Sequence, residues 1–375
     1  MPSPVLMVDL KGQYLKVKEE IDAAVAEVIT SAAFINGPQV TRFATHLADY
    51  LEVPYVIPCA NGTDALQIAL MALGLQPGDE VIVPGFTYVA PAEVIGLLGL
   101  VPIAVDVDPE SFNMQPQDLE QAYSRRTKAV IPVHLFGQCA PMEPIIEWAK
   151  QRGVFVVEDA AQALGAKYKG KRAGTLGDIG CTSFFPTKNL GCFGDGGALM
   201  TKDPHLANRI KMIAQHGQQK KYIHELLGCN SRLDTLQAAI LDVKLAYLDD
   251  YEAARNKAAQ RYTQSLQGVE GLIAPVKDDH TTHVFHQYTL RILNGRRDGL
   301  KRHLASLGIP SMVYYPLPLH RQPAFDSLVR MRSPLRVSEQ LCEEVLSLPM
   351  HTELTPHMQQ IIAEQICQFL YTPQQ

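Results

Sequence analysis

Hydrophobic and polar positions alternate between two periodicities along the first half of the chain, that of a strand and that of a helix. Between residues 55 and 201, short β-rich apolar runs are followed by longer runs with helical spacing. The predicted strands cover residues 55–58, 80–84, 101–106, 127–133, 154–158, 179–185 and 198–201. Helices are predicted between them, among others at residues 63–73, 88–98 and 142–151. Because alternating strands and helices are typical of βαβ units, the pattern predicts an α/β fold with a mostly parallel sheet flanked by helices.

The pattern changes at both ends of this region. Before the first strand, one helix is predicted at residues 15–30. A break at residues 34–38 follows, and a second helix then runs to about residue 51. After residue 203 the predicted elements are a helix at 204–215, a long helix at 231–266 with a break near 249–251, β-rich runs at 286–293 and 309–315, and helices at 297–307 and 356–370. We therefore predict a large α/β domain over residues 1–250, with an N-terminal helical segment, and a small C-terminal α+β domain over residues 251–375.

Composition and charge narrow the classes of protein. The 375 residues are 46% hydrophobic and 19% charged, which suits a chain with a large core, and the net charge of −5 gives no footprint for nucleic acid. No apolar run approaches the roughly 20 residues that a membrane span requires. The seven cysteines form no CxxC pair, so a zinc site or disulfide framework is not expected. We expect a cytoplasmic protein without nucleic-acid or membrane partners and without a metal.

Two candidate chemical groups follow predicted strands. Asp159 ends the apolar run at 154–158, where open α/β sheets collect their ligands, although a helix N-cap explains it equally well. Lys188 lies between Pro186 and Gly191, just past another strand. A Lys desolvated in such a turn has a lowered pKa and a nucleophilic amine. The alternative is an ordinary surface Lys, which is the more common case for a single Lys.

Two further segments suit a phosphate and a flat ring. Gly62 and Thr63 open a strongly helical run, so their backbone N–H groups could bind an anion, or the segment could be a plain helix cap. Tyr88 lies near another strand end, where it could cover a ring or join the core. Together with Lys188 and Asp159, these features predict a pyridoxal 5′-phosphate (PLP) site, in which Lys188 binds the aldehyde and Asp159 keeps the pyridine nitrogen protonated.

Five motifs in order carry a resemblance to a known family. They are 60-ANGTDAL-66, 84-PGFTY-88, 158-EDAAQ-162, 183-SFFPTK-188 and 230-NSRLD-234. With them, nearly the whole chain resembles the sugar aminotransferases of the DegT/DnrJ/EryC1/StrS group, within the fold type I, aspartate aminotransferase-like PLP enzymes. The segments 216-HGQ-218 and 230-NSRLDTLQAA-239 further resemble the branch of 3-aminotransferases that act on UDP-2-acetamido-2-deoxy-3-oxo-D-glucuronate. This resemblance implies L-glutamate as amino donor and a role in bacterial surface polysaccharide (O-antigen) synthesis.

The resemblance also implies roles for individual residues. Lys188 matches the Schiff-base lysine, and Asp159 matches the residue that pairs with the pyridine nitrogen. The other cofactor contacts match the phosphate, ring-stacking and 3-hydroxyl positions of the family, and they are Gly62, Thr63, Ser183, Tyr88, Gln162 and Asn230. Asn230 matches a phosphate contact from a neighbouring subunit, which implies a homodimer with shared active sites.

Three residues are candidates for substrate binding: Arg232, Tyr315 and His320. A planar guanidinium suits a carboxylate, so Arg232 is the candidate for the sugar carboxylate, with a structural role as the alternative. Three other functions stay open. They are an aminotransferase for a dTDP-, GDP- or UDP-linked keto-6-deoxyhexose, a PLP-dependent sugar dehydratase, in which His rather than Lys occupies the Schiff-base position, and a non-catalytic PLP-binding regulatory protein.

Overall fold

The central sheet of the molecule has eight strands. The computed structural model describes residues 5–372, so residues 1–4 and 373–375, at the outer ends of the two predicted domains, lie outside it. In sequence order the strands of this sheet are β1 (Tyr55–Cys59), β2 (Glu80–Pro84), β3 (Val101–Val105), β4 (Thr127–Val130), β5 (Phe155–Asp159), β8 (Ile179–Ser183), β9 (Gly197–Thr201) and β14 (Arg330–Met331). Their spatial order is β1-β9-β8-β5-β4-β2-β3-β14, and all neighbours are parallel except that β9 runs antiparallel to both β1 and β8. The prediction of a mostly parallel sheet is confirmed.

Helices cover both faces of this sheet. The helices are α1 (Leu10–Lys16), α2 (Lys18–Ser31), α3 (Pro38–Leu51), α4 (Gly62–Ala72), α5 (Ala90–Leu97), α6 (Pro116–Ala122), α7 (Met142–Arg152), α8 (Pro204–Ile213), α9 (Thr235–Leu245), α10 (Leu248–Ser265), α11 (Arg297–Ser306), α12 (Arg336–Glu344) and α13 (Pro356–Tyr371). Along β2, Val81 and Val83 join the core that contains α4, α5 and α8, while Ile82 joins the core that contains α6 and α7. This alternation follows from the two-residue period of a strand.

A second, three-stranded antiparallel sheet lies in the C-terminal part. It pairs β12 (Leu272–Ile273), β13 (Tyr288–Ile292) and β15 (Val345–Leu348), and residues of α10, α11 and α13 share its core. Three two-residue strands and one three-residue strand complete the list: β6 (Lys167–Tyr168), β7 (Lys171–Arg172), β10 (Gln218–Lys220) and β11 (Ile223–His224). Strand β14 comes from the same part of the chain but pairs with β3 of the central sheet.

Three predicted elements differ from the structure. The helix predicted at 15–30 is two helices, because Val17 leaves helical geometry with φ −123° and ψ 24°. The long helix predicted from 231 starts only at Thr235 and breaks at Ala246–Tyr247 rather than near 249–251. The β-rich run at 309–315 forms no strand beyond one bridge between Met312 and Ser347. Within residues 5–372, no helix has the length and apolar character to cross a membrane.

Candidate active site

The loop that carries Lys188 begins where β8 ends. It folds tightly, because Lys188 N–H donates to Phe185 O at 2.8 Å and Cys192 N–H donates to Phe184 O at 2.8 Å. A Cβ at Gly191 would lie 2.3 Å from Pro186 O, so only glycine fits there. The Lys188 side chain is half-buried. Its desolvation lowers the pKa of the amine to about 8, against an opposing effect of the Asp159 charge.

Asp159 ends the neighbouring strand β5. It is 7% exposed, and its Oδ1 accepts the N–H of Ala161 at 3.0 Å. Burial raises the pKa of its carboxyl, while that hydrogen bond and the positive charge of Lys188 act in the opposite direction. The structure therefore couples the two charged groups that the sequence singled out, at the carboxyl ends of adjacent parallel strands.

Gln162 links this pair to an aromatic wall. Its Oε1 accepts Phe136 N–H at 2.9 Å, and its Nε2 donates to the hydroxyl of Tyr315 at 3.1 Å. The ring of Tyr315 lies 6.0 Å from that of Tyr88, with 46° between their planes. Tyr88 is 53% exposed, which leaves most of its ring free for a ligand.

The start of helix α4 provides a cradle for an anion. Asn61 caps the helix by accepting Asp64 N–H at 2.8 Å, and the N–H groups of Gly62 and Thr63 belong to the first turn, where intrahelical partners are lacking. A Cβ on Gly62 would lie 2.6 Å from Cβ of Ser183, so glycine lets the helix start abut the end of β8. Backbone donors, the helix dipole and two hydroxyls suit a phosphate.

Two candidates lie on the loop that leads into α9. Asn230 is exposed, and its backbone bridges to Gln215. The adjacent Ser231 accepts Ala60 N–H at 3.0 Å, so this loop lies against the chain just before the phosphate cradle. Arg232 lines a cavity of about 790 Å³ bordered by α3, β1 and α8. Neither Lys188 nor Asp159 lines this cavity. Within one chain, Arg232 is therefore not brought together with Lys188.

His320 lies near the turn after β2. The N–H of the preceding Leu319 donates to Gly85 O at 2.9 Å. The His320 side chain is 6% exposed and its Nε2 lies 3.0 Å from Glu339 Oε1, a carboxylate that also pairs with Arg321 at 2.7 Å. This arrangement holds the imidazole beside the turn that follows β2.

Sequence reasoning missed two buried groups that support the site. His134 Nε2 lies 2.9 Å from Glu158 Oε2, both side chains are fully buried, and Glu158 also accepts three backbone N–H groups from residues 174–177. Because His134 N–H donates to Asp159 O, this pair fixes the end of β5. Lys244 is 2% exposed and donates to Gly191 O, below the Lys188 loop. The only sequence signal for the burial of Lys244 is its position between the apolar residues Leu241 and Leu245.

The residues present fit PLP. An anion cradle, a buried carboxylate, a desolvated amine and an exposed aromatic face surround one end of the sheet, and each matches one part of that cofactor: phosphate, pyridine nitrogen, aldehyde and ring. The fold and these groups are those of a fold type I PLP-dependent aminotransferase.

Comparison with known proteins agrees with this class. Residues 15–367 match the DegT/DnrJ/EryC1/StrS aminotransferase family, and the chain belongs to it. It is 49% identical to the UDP-2-acetamido-2-deoxy-3-oxo-D-glucuronate aminotransferase of Pseudomonas aeruginosa, over 92% of this chain and 95% of that one. It is 48% identical to a Geobacillus stearothermophilus protein named as a pleiotropic regulatory protein, over 97% and 98% of the two chains.

A solved structure is also very similar. DesV of S. venezuelae, crystallised in complex with a ketimine intermediate, superposes with a TM-score of 0.95 at 39% identity and covers 99% of this chain and 100% of its own. The protein is therefore an enzyme, a PLP-dependent nucleotide-sugar aminotransferase.

Proposed function

We propose that this enzyme transfers the amino group of L-glutamate to carbon 3 of UDP-2-acetamido-2-deoxy-3-oxo-D-glucuronate, for bacterial surface polysaccharide. The observation that carries this proposal is the 49% identity, over nearly the full length of both chains, to the Pseudomonas aeruginosa enzyme named for that substrate. The resemblance of segment 230–239 to the same branch supports it.

Lys188 is the proposed base and acid of the reaction. When bound, PLP supplies an aldehyde that binds amines covalently and a ring that stabilises negative charge on the carbon next to the amine. Because desolvation lowers the pKa of Lys188 to about 8, its Nζ can both accept and return a proton close to neutral pH. Its place on a tight loop keeps Nζ at the end of the sheet.

Asp159 and Gln162 are proposed to fix the orientation of the ring. The Asp159 carboxylate, 7% exposed, would keep a proton on the pyridine nitrogen, because a buried positive charge beside it is strongly favoured. Gln162, held by Phe136 and Tyr315, would present its amide to the 3-hydroxyl. Tyr88 would cover one face of the ring and exclude water from it.

The phosphate is proposed to bind at the start of α4. Gly62 and Thr63 would donate backbone N–H groups, and Ser183 would donate its hydroxyl. Asn230 of a second copy of the chain would complete this cradle, which makes the enzyme a homodimer with shared sites. The exposure of Asn230 in one chain supports a partner in another.

Tyr315, His320 and Arg232 are the proposed sugar contacts. Tyr315, which is hydrogen-bonded to Gln162, and His320 would contact the sugar within one chain. Arg232, like Asn230, would reach the site of a second copy. A guanidinium can bind the uronate carboxylate through two parallel hydrogen bonds, which a neutral sugar cannot offer.

A substrate panel tests the proposal. The purified enzyme is incubated with L-glutamate and with UDP-, dTDP- and GDP-linked keto sugars, with and without a 6-carboxylate, and amino-sugar products are measured by mass spectrometry. We expect the UDP-linked 3-oxo-uronate to give the highest kcat/KM. A higher value for a neutral 6-deoxy sugar would reject the proposed substrate.

The second candidate is the amination of a neutral keto-6-deoxyhexose. It is favoured by the position of Arg232, which lines a cavity apart from Lys188 within one chain and therefore could serve the structure alone. The same panel distinguishes the two candidates. Absorbance separates both from a regulator, because L-glutamate bleaches the visible band of a transaminase and leaves that of a non-catalytic protein unchanged.

A further inference from the structure

Residues 283–287 form a short segment that touches two walls of the site. Asn189, next to Lys188, donates its Nδ2 to Val284 O at 3.1 Å. On the other side, Val284 N–H donates to Gly137 O at 2.9 Å, and Gln287 N–H donates to Phe136 O at 3.2 Å. The segment is thus clamped between the Lys188 loop and the turn that holds Gln162.

His286 is the buried polar side chain of this segment. It is 6% exposed, and its Nδ1 is buried without a hydrogen-bond partner. The backbone of His286 packs closely against Gly137, where an added Cβ would lie 2.9 Å from His286 N. A buried polar atom without a partner is unusual in a folded protein and requires an explanation.

The charges around His286 are positive. The Lys188 loop is joined to the His286 segment by the hydrogen bond from Asn189 to Val284, so the Lys188 charge acts on His286 from that side. The guanidinium of Arg255 lies on α10, where Nη1 donates to Phe285 O at 3.1 Å and lies 3.4 Å from His286 O. Burial and these two cations lower the pKa of His286 well below its usual value, so the ring is neutral. A neutral imidazole carries one nitrogen that accepts a hydrogen bond.

Lys188 has the complementary group. Burial lowers the pKa of its amine against the opposing charge of Asp159, and its Nζ donates no hydrogen bond to any residue among 5–372. Its Nζ carries up to three donors on a stem with four rotatable bonds. An unpartnered donor and an unpartnered acceptor therefore lie on two segments that the hydrogen bond from Asn189 to Val284 holds together.

We propose that His286 is a positioning residue whose Nδ1 accepts a hydrogen bond from Nζ of Lys188 whenever that amine is not attached to the cofactor. The proposal rests on the role of Lys188 proposed above. The hydrogen bond holds the free amine at one place in the site instead of leaving it to sample many rotamers. It also stabilises the ammonium form relative to the free amine.

The test uses substitutions that keep or remove an acceptor at the position of Nδ1. His286→Asn keeps an amide at that position, His286→Gln places its amide at the position of Nε2, and His286→Leu removes both. His283→Leu is the matched control, because His283 is another buried imidazole of the same segment, with its ring 3.9 Å from that of Phe285.

The first readout is the pKa of Lys188 in the full-length chain freed of cofactor. The rate of Lys188 acylation by acetic anhydride is followed against pH, with the modified peptide measured by mass spectrometry. We expect His286→Leu and His286→Gln to lower the pKa of Lys188 by about one unit, because an acceptor that favours the ammonium is lost. His286→Asn and His283→Leu should leave it near the value of the unmodified chain.

The second readout is the half-reaction of the holoenzyme with L-glutamate. We expect its maximal rate to fall about tenfold in His286→Leu and His286→Gln, with KM unchanged, and to recover in His286→Asn. An unchanged or raised Lys188 pKa in His286→Leu and His286→Gln, or an equal shift in His283→Leu, would overturn the proposal. The acylation needs no sugar or amino acid, so a wrong substrate assignment would leave that result intact.

Discussion

Lys188 is the residue on which the proposed chemistry depends most directly. We expect Lys188→Ala to lose turnover by at least about three orders of magnitude, because both covalent attachment and proton transfer by Nζ are removed. The variant should still bind PLP, because the phosphate cradle at Gly62 and the carboxylate of Asp159 are unchanged. Initial rates and cofactor retention on gel filtration measure the two effects. Turnover near that of the unmodified enzyme would discard the assignment.

Arg232 is the residue on which the proposed carboxylate recognition depends. We expect Arg232→Lys to raise KM at least about tenfold for a uronate substrate and much less for its neutral analogue, since an ammonium cannot form two parallel hydrogen bonds with a carboxylate. Steady-state kinetics with the matched pair of sugars measure the difference. If both KM values rose equally, Arg232 would have a structural role in its cavity.

At the residue scale, the sequence identified groups that lie at strand ends. Asp159 and Lys188 follow apolar runs directly, and the end of a strand in a parallel sheet is a fixed place. The support that His134 gives to the end of β5 was not predictable, because it depends on a pairing between Glu158 of β5 and a residue in the loop after β4. The unpartnered Nδ1 of His286 is likewise a property of packing, which no spacing reveals.

Helix α9 carries a buried cation, and this gives a prediction at the scale of an element. Lys244 forms no ion pair with a carboxylate among residues 5–372, and its Nζ lies 5.6 Å from the centre of the Phe193 ring. Desolvation lowers the pKa of its amine to about 8. Keeping the Lys244 amine charged in the folded protein therefore costs about 3 kcal/mol at pH 7. The hydrogen bond to Gly191 O offsets about 1 kcal/mol of this cost.

We expect Lys244→Met to raise the free energy of unfolding by about 2 kcal/mol at pH 7, because the uncompensated charge is removed while the stem is kept. Between pH 8 and the unfolded pKa near 10.4, the unfolded chain binds more protons than the folded one, so the unmodified protein gains stability with pH and the difference shrinks. Urea unfolding at several pH values measures it. Lys257→Met, at an exposed position of α10, should change little.

A loss of stability in Lys244→Met at pH 7 would contradict this account. It would mean that the contact with Gly191 O holds the Lys188 loop in place more strongly than the buried charge destabilises it.

At the scale of elements, the period of the apolar pattern decided what was predictable. Strand β2 was predicted with its observed bounds, because both of its faces are buried and Gly and Pro residues delimit it. The break between α9 and α10 was predicted near 249–251 rather than at Ala246–Tyr247, since the apolar periodicity continues across it. Strands β14 and β15 were missed because they are short and their pairing partners, β3 and β13, are distant in sequence.

At the scale of the whole molecule, a single chain leaves Arg232 apart from Lys188, and it leaves Asn230 exposed on a loop that lies against the chain before the phosphate cradle. The cradle at Gly62 and Ser183 is formed within one chain. A homodimer that exchanges the 230–232 loop would complete both sites at once, as two-fold symmetry requires. Mixed dimers distinguish this arrangement from one in which Asn230 serves its own chain.

The two variants for this experiment are Lys188→Ala and Asn230→Asp, the second of which sets a carboxylate against the phosphate and is expected to be nearly inactive alone. When the two variants are co-expressed at equal levels, half of the dimers are hybrids. If Asn230 is exchanged between the chains, each hybrid has one site with both Lys188 and Asn230 unmodified. We therefore expect the mixture to regain about a quarter of the unmodified activity. If Asn230 instead acted within its own chain, every site of a hybrid would carry a defect, and the mixture would stay as inactive as its parents.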